Sequence, residues 1–176
     1  MQILSGVYKH RPIKERTNSY THPMGSREKL ALFNILTEYL PDATFLDAFA
    51  GTGALGLEAL SRGAAKVVFI EKSPQNAKLI TANLQSLGPN AVANATIITK
   101  PVEKASLDQQ FDIVIADPPY DHFSIDEVNH LTKYLKPTGI FVLSHPKLPT
   151  PPTLQGLQLL NTRSYAAANL AFYSKV

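Results

Sequence analysis

Asp117-Pro118-Pro119-Tyr120 follows directly on the apolar run Phe111–Ala116, and these residue types in this order suit one chemical problem. An amino group attached to a ring or a carbonyl is a poor nucleophile, because its lone pair is delocalised. A carboxylate and a neighbouring backbone carbonyl can accept hydrogen bonds from both of its N–H groups and bring the lone pair out of conjugation. Pro118 offers a carbonyl with no N–H of its own, and with Pro119 it stiffens the backbone. Tyr120 adds an aromatic face on which a flat base can stack. Alkylation of an exocyclic nitrogen is the chemistry such a set performs. The plainer use of the same residues is two prolines ending a strand beside a core tyrosine.

A second block lies upstream. Leu46-Asp47-Ala48-Phe49-Ala50 runs into Gly51-Thr52-Gly53-Ala54-Leu55-Gly56, a G-x-G-x-x-G turn between a strand and a helix. Glu71 stands 20 residues past Gly51, at the end of the next apolar run, where a carboxylate can hold ribose hydroxyls. The pattern describes an adenosine-bearing cofactor only broadly, and NAD sites share it. Asp47 separates the possibilities. A carboxylate aimed into the glycine loop repels a pyrophosphate and attracts the ammonium of a methionine moiety, as in S-adenosylmethionine. The same carboxylate also suits a helix N-cap or a loop brace, and the two roles are compatible. The expected cofactor contacts are Asp47, Ala48, Phe49, Gly51, Thr52, Gly53, Gly56, Glu71 and Lys72.

Composition bounds the setting. The chain has 176 residues, enough for one domain with its own core, and 44% hydrophobic with 18% charged residues is a globular balance. Cysteine is absent, which excludes disulfides and thiolate metal sites. The start, MQILSGVYKHRP, lacks the apolar stretch of a signal peptide, and no segment approaches the ~20 apolar residues of a membrane span. A cytoplasmic protein with no membrane association is expected. The five histidines show no HExxH-type pairing, so no metal is expected. The net charge of +3 resides in the first 20 residues, where Lys9, Arg11, Lys14 and Arg16 face Glu15 alone. Basic side chains bind polyanions by releasing condensed counterions, and these four are the candidate contacts to a nucleic-acid-like polyanion. A solvated, merely solubilising terminus is the alternative.

Periodicity supplies the elements that would position these groups. Residues 26–40 read as a helix with Ser26 as N-cap and Pro41-Asp42 as stop. Strands are expected at 44–49, 66–70, 95–99, 111–116 and 139–144. Helices are expected at 54–62, closed by Gly63, at 74–87, ended by Gly88-Pro89, and at 125–135, closed by Pro137 to Gly139. Two β-like runs, 157–162 and 168–174, follow a Pro-rich link. Strand–helix alternation implies an α/β fold with a doubly wound, mostly parallel sheet, and the last two runs imply an antiparallel edge hairpin. Residues 1–20 are expected to form a basic arm or small hairpin, and residues 21–176 a single domain.

Assembled, these blocks resemble the class I S-adenosylmethionine-dependent methyltransferases. Within them the chain is similar to the RsmD family, which methylates the exocyclic N2 of a guanine in small-subunit (16S) ribosomal RNA. The similarity runs through Ile3-Leu4-Ser5-Gly6, Ala31-Leu32-Phe33-Asn34-Ile35-Leu36, the long block from Leu46 to Ala64, Glu71 and the Asp-Pro-Pro-Tyr motif. It implies a Rossmann-like seven-stranded sheet, S-adenosylmethionine as cofactor, and catalysis by Asp117, Pro118, Pro119 and Tyr120 on a base splayed out of its helix. It also implies ribosomal RNA as partner, met within a small ribosomal subunit or its assembly intermediate; a monomer is expected. Adenine-N6 or glutamine-N5 methylation with the same motif is the alternative enzyme reading. A catalytically inactive RNA-binding assembly factor is the alternative outside enzymes. An NAD-dependent oxidoreductase is disfavoured by Asp47 and by the lack of a Tyr-x-x-x-Lys or His/Arg set.

Three positions depart from the family pattern. His22-Pro23-Met24 stands where Arg-Pro-Thr is usual, Lys100 where Asp or Asn often meets the adenine, and Ser144-His145-Pro146 where an acidic residue is expected. His145 reads as a loop histidine rather than a base. Arg62 and Gly63 read as a helix terminus, and Tyr8 and Tyr20 as residues packed on the domain. Arg27 and Lys29 read equally as surface charges or phosphate contacts, and His122 and Phe123 as residues near the base pocket.

Overall fold

The computed structural model describes residues 1–15, 24–165 and 169–176; Arg16, Tyr20, His22 and Pro23 lie outside them. Seven strands form one sheet in the order β3-β2-β1-β4-β5-β7-β6. These are β1 (Thr44–Asp47), β2 (Lys66–Ile70), β3 (Ala95–Ile98), β4 (Phe111–Ala116), β5 (Leu135–His145), β6 (Leu157–Ser164) and β7 (Asn169–Lys175). β1 to β5 are parallel, while β7 pairs antiparallel with both β5 and β6. The strand order turns back between β1 and β4, which opens a crevice at their carboxyl ends.

Two apolar layers sandwich the sheet, as expected when parallel strands are covered on both faces. Helices α1 (Ser26–Ile35), α2 (Ala54–Ser61) and α3 (Pro74–Leu87) bury Leu32, Phe33, Leu57 and Ile80 against Phe45, Phe69, Ile115 and Val142. On the other face α5 (Ile125–Leu131) buries Val128 and Leu131 against Val114, Ala116, Phe141 and Leu143. Gly56 permits a close approach of helix to sheet. A Cβ there would lie 2.2 Å from Cε1 of Phe69, so α2 approaches β2 as closely as the backbone allows.

The sequence pattern misplaces several boundaries. α1 is capped by Gly25, whose N–H donates to Glu28, and the helix stops at Ile35 although Leu36 and Leu40 remain buried in the turn beyond it. Pro89 opens a short helix, α4 (Pro89–Ala93), rather than a loop, because a first helical position needs no N–H. The largest miss concerns the helix expected at 125–135. Leu131 and Leu135 are one helical turn apart and both buried, yet Leu135 begins β5 and pairs with Phe111. The register then slips between Phe111 and Ile113, so Pro137 to Gly139 form an irregularity inside a strand instead of a helix stop. Proline is tolerated there because a bulge needs no ladder donor. Gly139 is required, since a Cβ would sit 2.8 Å from the Asp112 carbonyl.

The first fifteen residues form a hairpin-like loop tied by the Gln2–Pro12 bridge, docked on the domain rather than extended from it. Ile3 and Ile13 enter the core, and Tyr8 packs against it. Glu58 of α2 is fully buried and accepts the backbone N–H groups of Leu4 and Ser5 at 2.8 and 3.0 Å. Its carboxylate also takes Arg62 Nε at 2.8 Å and lies 3.8 Å from Lys29 Nζ. Lys29 is therefore neither surface charge nor phosphate ligand: it is 1% exposed, and burial lowers its pKa. Arg62 does more than end a helix, because its guanidinium also covers the Phe33 ring.

Candidate active site

The chemistry-bearing residues converge through strand parity. Phe45, Phe69, Ile115 and Val142 belong to the core under α1, α2 and α3. Two residues further along the same strands stand Asp47, Glu71, Asp117 and Ser144. Side chains alternate along a strand, so the apolar face of four neighbouring strands ends in a polar rim at its carboxyl edge. Asp47 pairs in register with Phe69 and Ile115, which places Glu71 and Asp117 just beyond it on either side.

Asp47 is 2% exposed, and its Oδ2 accepts the Gly56 N–H at 2.8 Å across the glycine loop. The loop brace expected of it is thus present, while the N-cap of α2 is Gly53. Burial pushes the Asp47 carboxyl up to about 7; the Gly56 N–H pulls it down, and Asp117 and Glu71 push it further up. Glu71 receives Gly51 N–H on Oε2 and Ser73 N–H on Oε1, each at 2.7 Å. Those two bonds fix its orientation and leave each oxygen further lone pairs.

Gly51 and Gly53 adopt φ of +56° and +80°, a region disfavoured for side-chain-bearing residues, and a Cβ on Gly51 would point into open space. Phe49 holds φ of +149° without being glycine, which marks backbone strain in the loop. Ala48 is buried with its N–H bonded to the Ile115 carbonyl, and Lys72 is exposed beside Glu71. Thr52 is braced by a residue that the sequence pattern did not single out. Buried Asn83 of α3 donates to the Thr52 carbonyl at 3.1 Å, accepts Lys14 N–H at 2.8 Å, and donates to the Lys14 carbonyl at 3.2 Å. A polar residue on the buried face of a helix was the available clue.

At the end of β4, burial raises the Asp117 carboxyl to about 6, with Ser144 lowering it and Glu28 of α1 raising it. Pro118 is buried, and Pro119 leads into a short 3-10 turn, Tyr120–His122. The Tyr120 phenol lies 2.6 Å from Ser144 Oγ, and burial lifts its pKa to about 12. His122 is exposed, and Phe123 packs partly against the α5-side core. His145, expected in a loop, is instead the last residue of β5 and 1% exposed. Its Nδ1 lies 2.8 Å from the Pro146 carbonyl, and burial lowers its pKa, which suits a neutral ring. Lys9, Arg11 and Lys14 are exposed on the docked hairpin, where Arg11 also donates to the Ser86 carbonyl. Lys100 is exposed past β3.

Among the described residues no basic side chain pairs with Asp47, Glu71 or Asp117. Three carboxylates at one rim, two of them held above their ordinary range, favour a ligand that brings positive charge. S-Adenosylmethionine fits this donor set: its ammonium and sulfonium are cationic, it carries no phosphate, and its ribose suits Glu71.

The family model described as conserved hypothetical protein 95 matches residues 1–174. Ribosomal RNA small subunit methyltransferase D of Haemophilus influenzae is 35% identical over 130 residues, spanning 72% of this chain and 67% of that one. Its namesake in Escherichia coli K12 is 33% identical over 133 residues, 74% of this chain and 66% of that protein. A solved E. coli structure, provisionally assigned as a methyltransferase, superposes with a TM-score of 0.88 at 26% identity and covers 99% of this chain and 97% of its own.

Proposed function

The chain belongs to the family described as conserved hypothetical protein 95, the RsmD family, and from that premise we propose how it methylates ribosomal RNA. It is a methyltransferase that places a methyl group on the exocyclic N2 of a guanine in small-subunit (16S) ribosomal RNA. The observation that carries the assignment of residues is strand register: Asp47 pairs with Phe69 and Ile115, so Glu71 and Asp117 follow two residues further on the neighbouring strands. Acceptor and cofactor carboxylates thereby share one rim.

S-Adenosylmethionine, when bound, supplies an electrophilic methyl on a sulfonium. Asp47 accepts its ammonium, Glu71 accepts the ribose hydroxyls with its remaining lone pairs, and the turns at Gly51 and Gly53 let the backbone approach closely. Ala48, Phe49, Thr52, Gly56 and Lys72 complete this wall. Asp117, mostly ionised at neutral pH, and the Pro118 carbonyl would accept the two N–H groups of the target and free its lone pair for alkylation. Pro119 keeps that carbonyl rigid, and the Tyr120 ring stacks on the base. Positioning and charge placement account for the rate. A neutral amine sheds its proton readily once alkylated, so no strong base is required.

Lys9, Arg11, Lys14 and Arg16 grip the flanking RNA, with residues 1–20 acting as the basic segment of a single catalytic domain. The protein works in the cytoplasm as a monomer, on RNA already folded in a small ribosomal subunit or an assembly intermediate. Asp117→Ala tests the assignment. Calorimetry should find S-adenosylmethionine binding nearly intact, and methyl transfer to ribosomal RNA should fall ~10²-fold or more. Unchanged turnover would remove Asp117 from the mechanism.

A further inference from the structure

Ser144 occupies the position where the sequence pattern lacked an acidic residue, and the structure gives it a task. Ala116 pairs with Leu143, so Asp117 and Ser144 are neighbours one step further along the parallel strands. Ile113 and Ile115 share one core with Ile140 and Val142, and alternation carries the Asp117 and Ser144 side chains onto that same face. Ser144 is 1% exposed, and its hydroxyl lies 2.6 Å from the Tyr120 phenol. A serine hydroxyl has one proton to give and lone pairs to receive, so it can serve two partners at once only in one sense. Its proton belongs with the anionic partner, where the bond is charge-assisted.

We propose that Ser144 is a positioning residue for the amino-group site: it accepts the Tyr120 phenol proton and donates its own to the Asp117 carboxylate. The first and last residues of the motif then form one hydrogen-bonded chain. The phenol anchor sets the plane of the Tyr120 ring, and the hydroxyl steadies the carboxylate in the ionised form that accepts the target N–H. This rests on the methyltransferase reading. The groups that bear on Asp117 are Ser144 from β5, Tyr120 from its own loop, Glu28 from α1 and Asp47 from β1. Burial and Glu28 disfavour the anion, and Ser144 favours it.

The test compares wild type, Ser144→Ala, Tyr120→Phe and the double variant. Each is measured for methyl transfer to ribosomal RNA from pH 5 to 9, with S-adenosylmethionine affinity and thermal melting as folding controls. With S-adenosylmethionine saturating at every pH, so that ionisation of Asp47 does not limit the rate, wild-type turnover should rise with pH as Asp117 ionises. In Ser144→Ala that acid limb should move up by about half a pH unit or more, because a hydrogen bond to the anion is removed. Turnover at neutral pH should fall roughly 5–10-fold while cofactor affinity stays within about twofold. Tyr120→Phe should lower turnover but leave the limb in place, and the double variant should be no slower than Ser144→Ala. A limb unmoved in a folded, cofactor-binding Ser144→Ala protein would overturn the proposal, as would losses that multiply in the double variant. A wild-type enzyme inactive on any RNA would instead overturn the methyltransferase reading. Asp117 can then still be followed by carboxyl ¹³C NMR, where equal titration in wild type and Ser144→Ala would overturn the hydrogen bond itself. If Ser144→Ala does not fold, Ser144→Thr keeps the hydroxyl and must retain the wild-type limb; a shifted limb would overturn the proposal.

Discussion

Replacing Asp47 by asparagine should make the unliganded protein more stable while making it a poorer cofactor binder. The side chain is buried, and its carboxyl is raised from 3.8 to about 7. Below pH 4 both folded and unfolded chains hold the proton, and the group costs nothing. Between about 4 and 7 the unfolded chain releases the proton while the folded one keeps it, so stability falls as pH rises. Above 7 both are ionised and the loss is complete, at about 4 kcal/mol for roughly three pH units of 1.36 kcal/mol each. Asparagine is close in shape and keeps an oxygen for the Gly56 N–H, but it does not titrate. The stability of Asp47→Asn relative to wild type should therefore grow between pH 4 and pH 8 by about 4 kcal/mol at most. Urea unfolding at several pH values measures it. Adding S-adenosylmethionine at pH 8 should then raise the melting temperature of wild type more than that of Asp47→Asn, because only the carboxylate can pair with an ammonium. A gap that stays flat from pH 4 to 8, or equal protection of both proteins by the cofactor, would refute the reasoning.

Gly56→Ala should cost about 2 kcal/mol or more, since its Cβ would lie 2.2 Å from Phe69 Cε1 and 2.8 Å from Val67 Cγ1; thermal melts should show partial recovery in a Gly56→Ala/Phe69→Leu pair. Glu58→Ala should cost about 3 kcal/mol or more, because it strands Lys29 and Arg62 and frees the Leu4 and Ser5 N–H groups. Amide exchange at residues 3–8 should quicken with it, whereas Lys29→Met, which leaves Glu58 its other donors, should be far milder. Neutralising Lys9, Arg11, Lys14 and Arg16 should flatten the salt dependence of RNA binding by roughly 0.7–0.9 in log–log slope for each phosphate no longer neutralised, measured by titration at several salt concentrations.

Some of this protein was legible from residue order alone, because the constraints concerned are local. A G-x-G-x-x-G turn must follow a strand and open a helix, Pro74 must sit at a helix start, and alternating apolar strands and amphipathic helices must stack as covered parallel sheet. The elements 54–62, 66–70, 74–87 and 111–116 accordingly lie within a residue of where periodicity puts them. Other features depend on partners far away in the chain. Leu135 carries the same apolar spacing whether it ends a helix or starts a strand, and only pairing with Phe111 chose the strand. Lys29 looks like any surface lysine until Glu58, 29 residues later, buries it beside the N-terminal hairpin. His145 looks like a loop residue until β7 pairs with it. Asp47, Glu71 and Asp117 were each identifiable as reactive types, but their proximity, and the raised carboxyls of Asp47 and Asp117, arise from strand register and burial. Those are properties of strands distant in the chain, and local residue patterns do not fix which of those strands lie side by side.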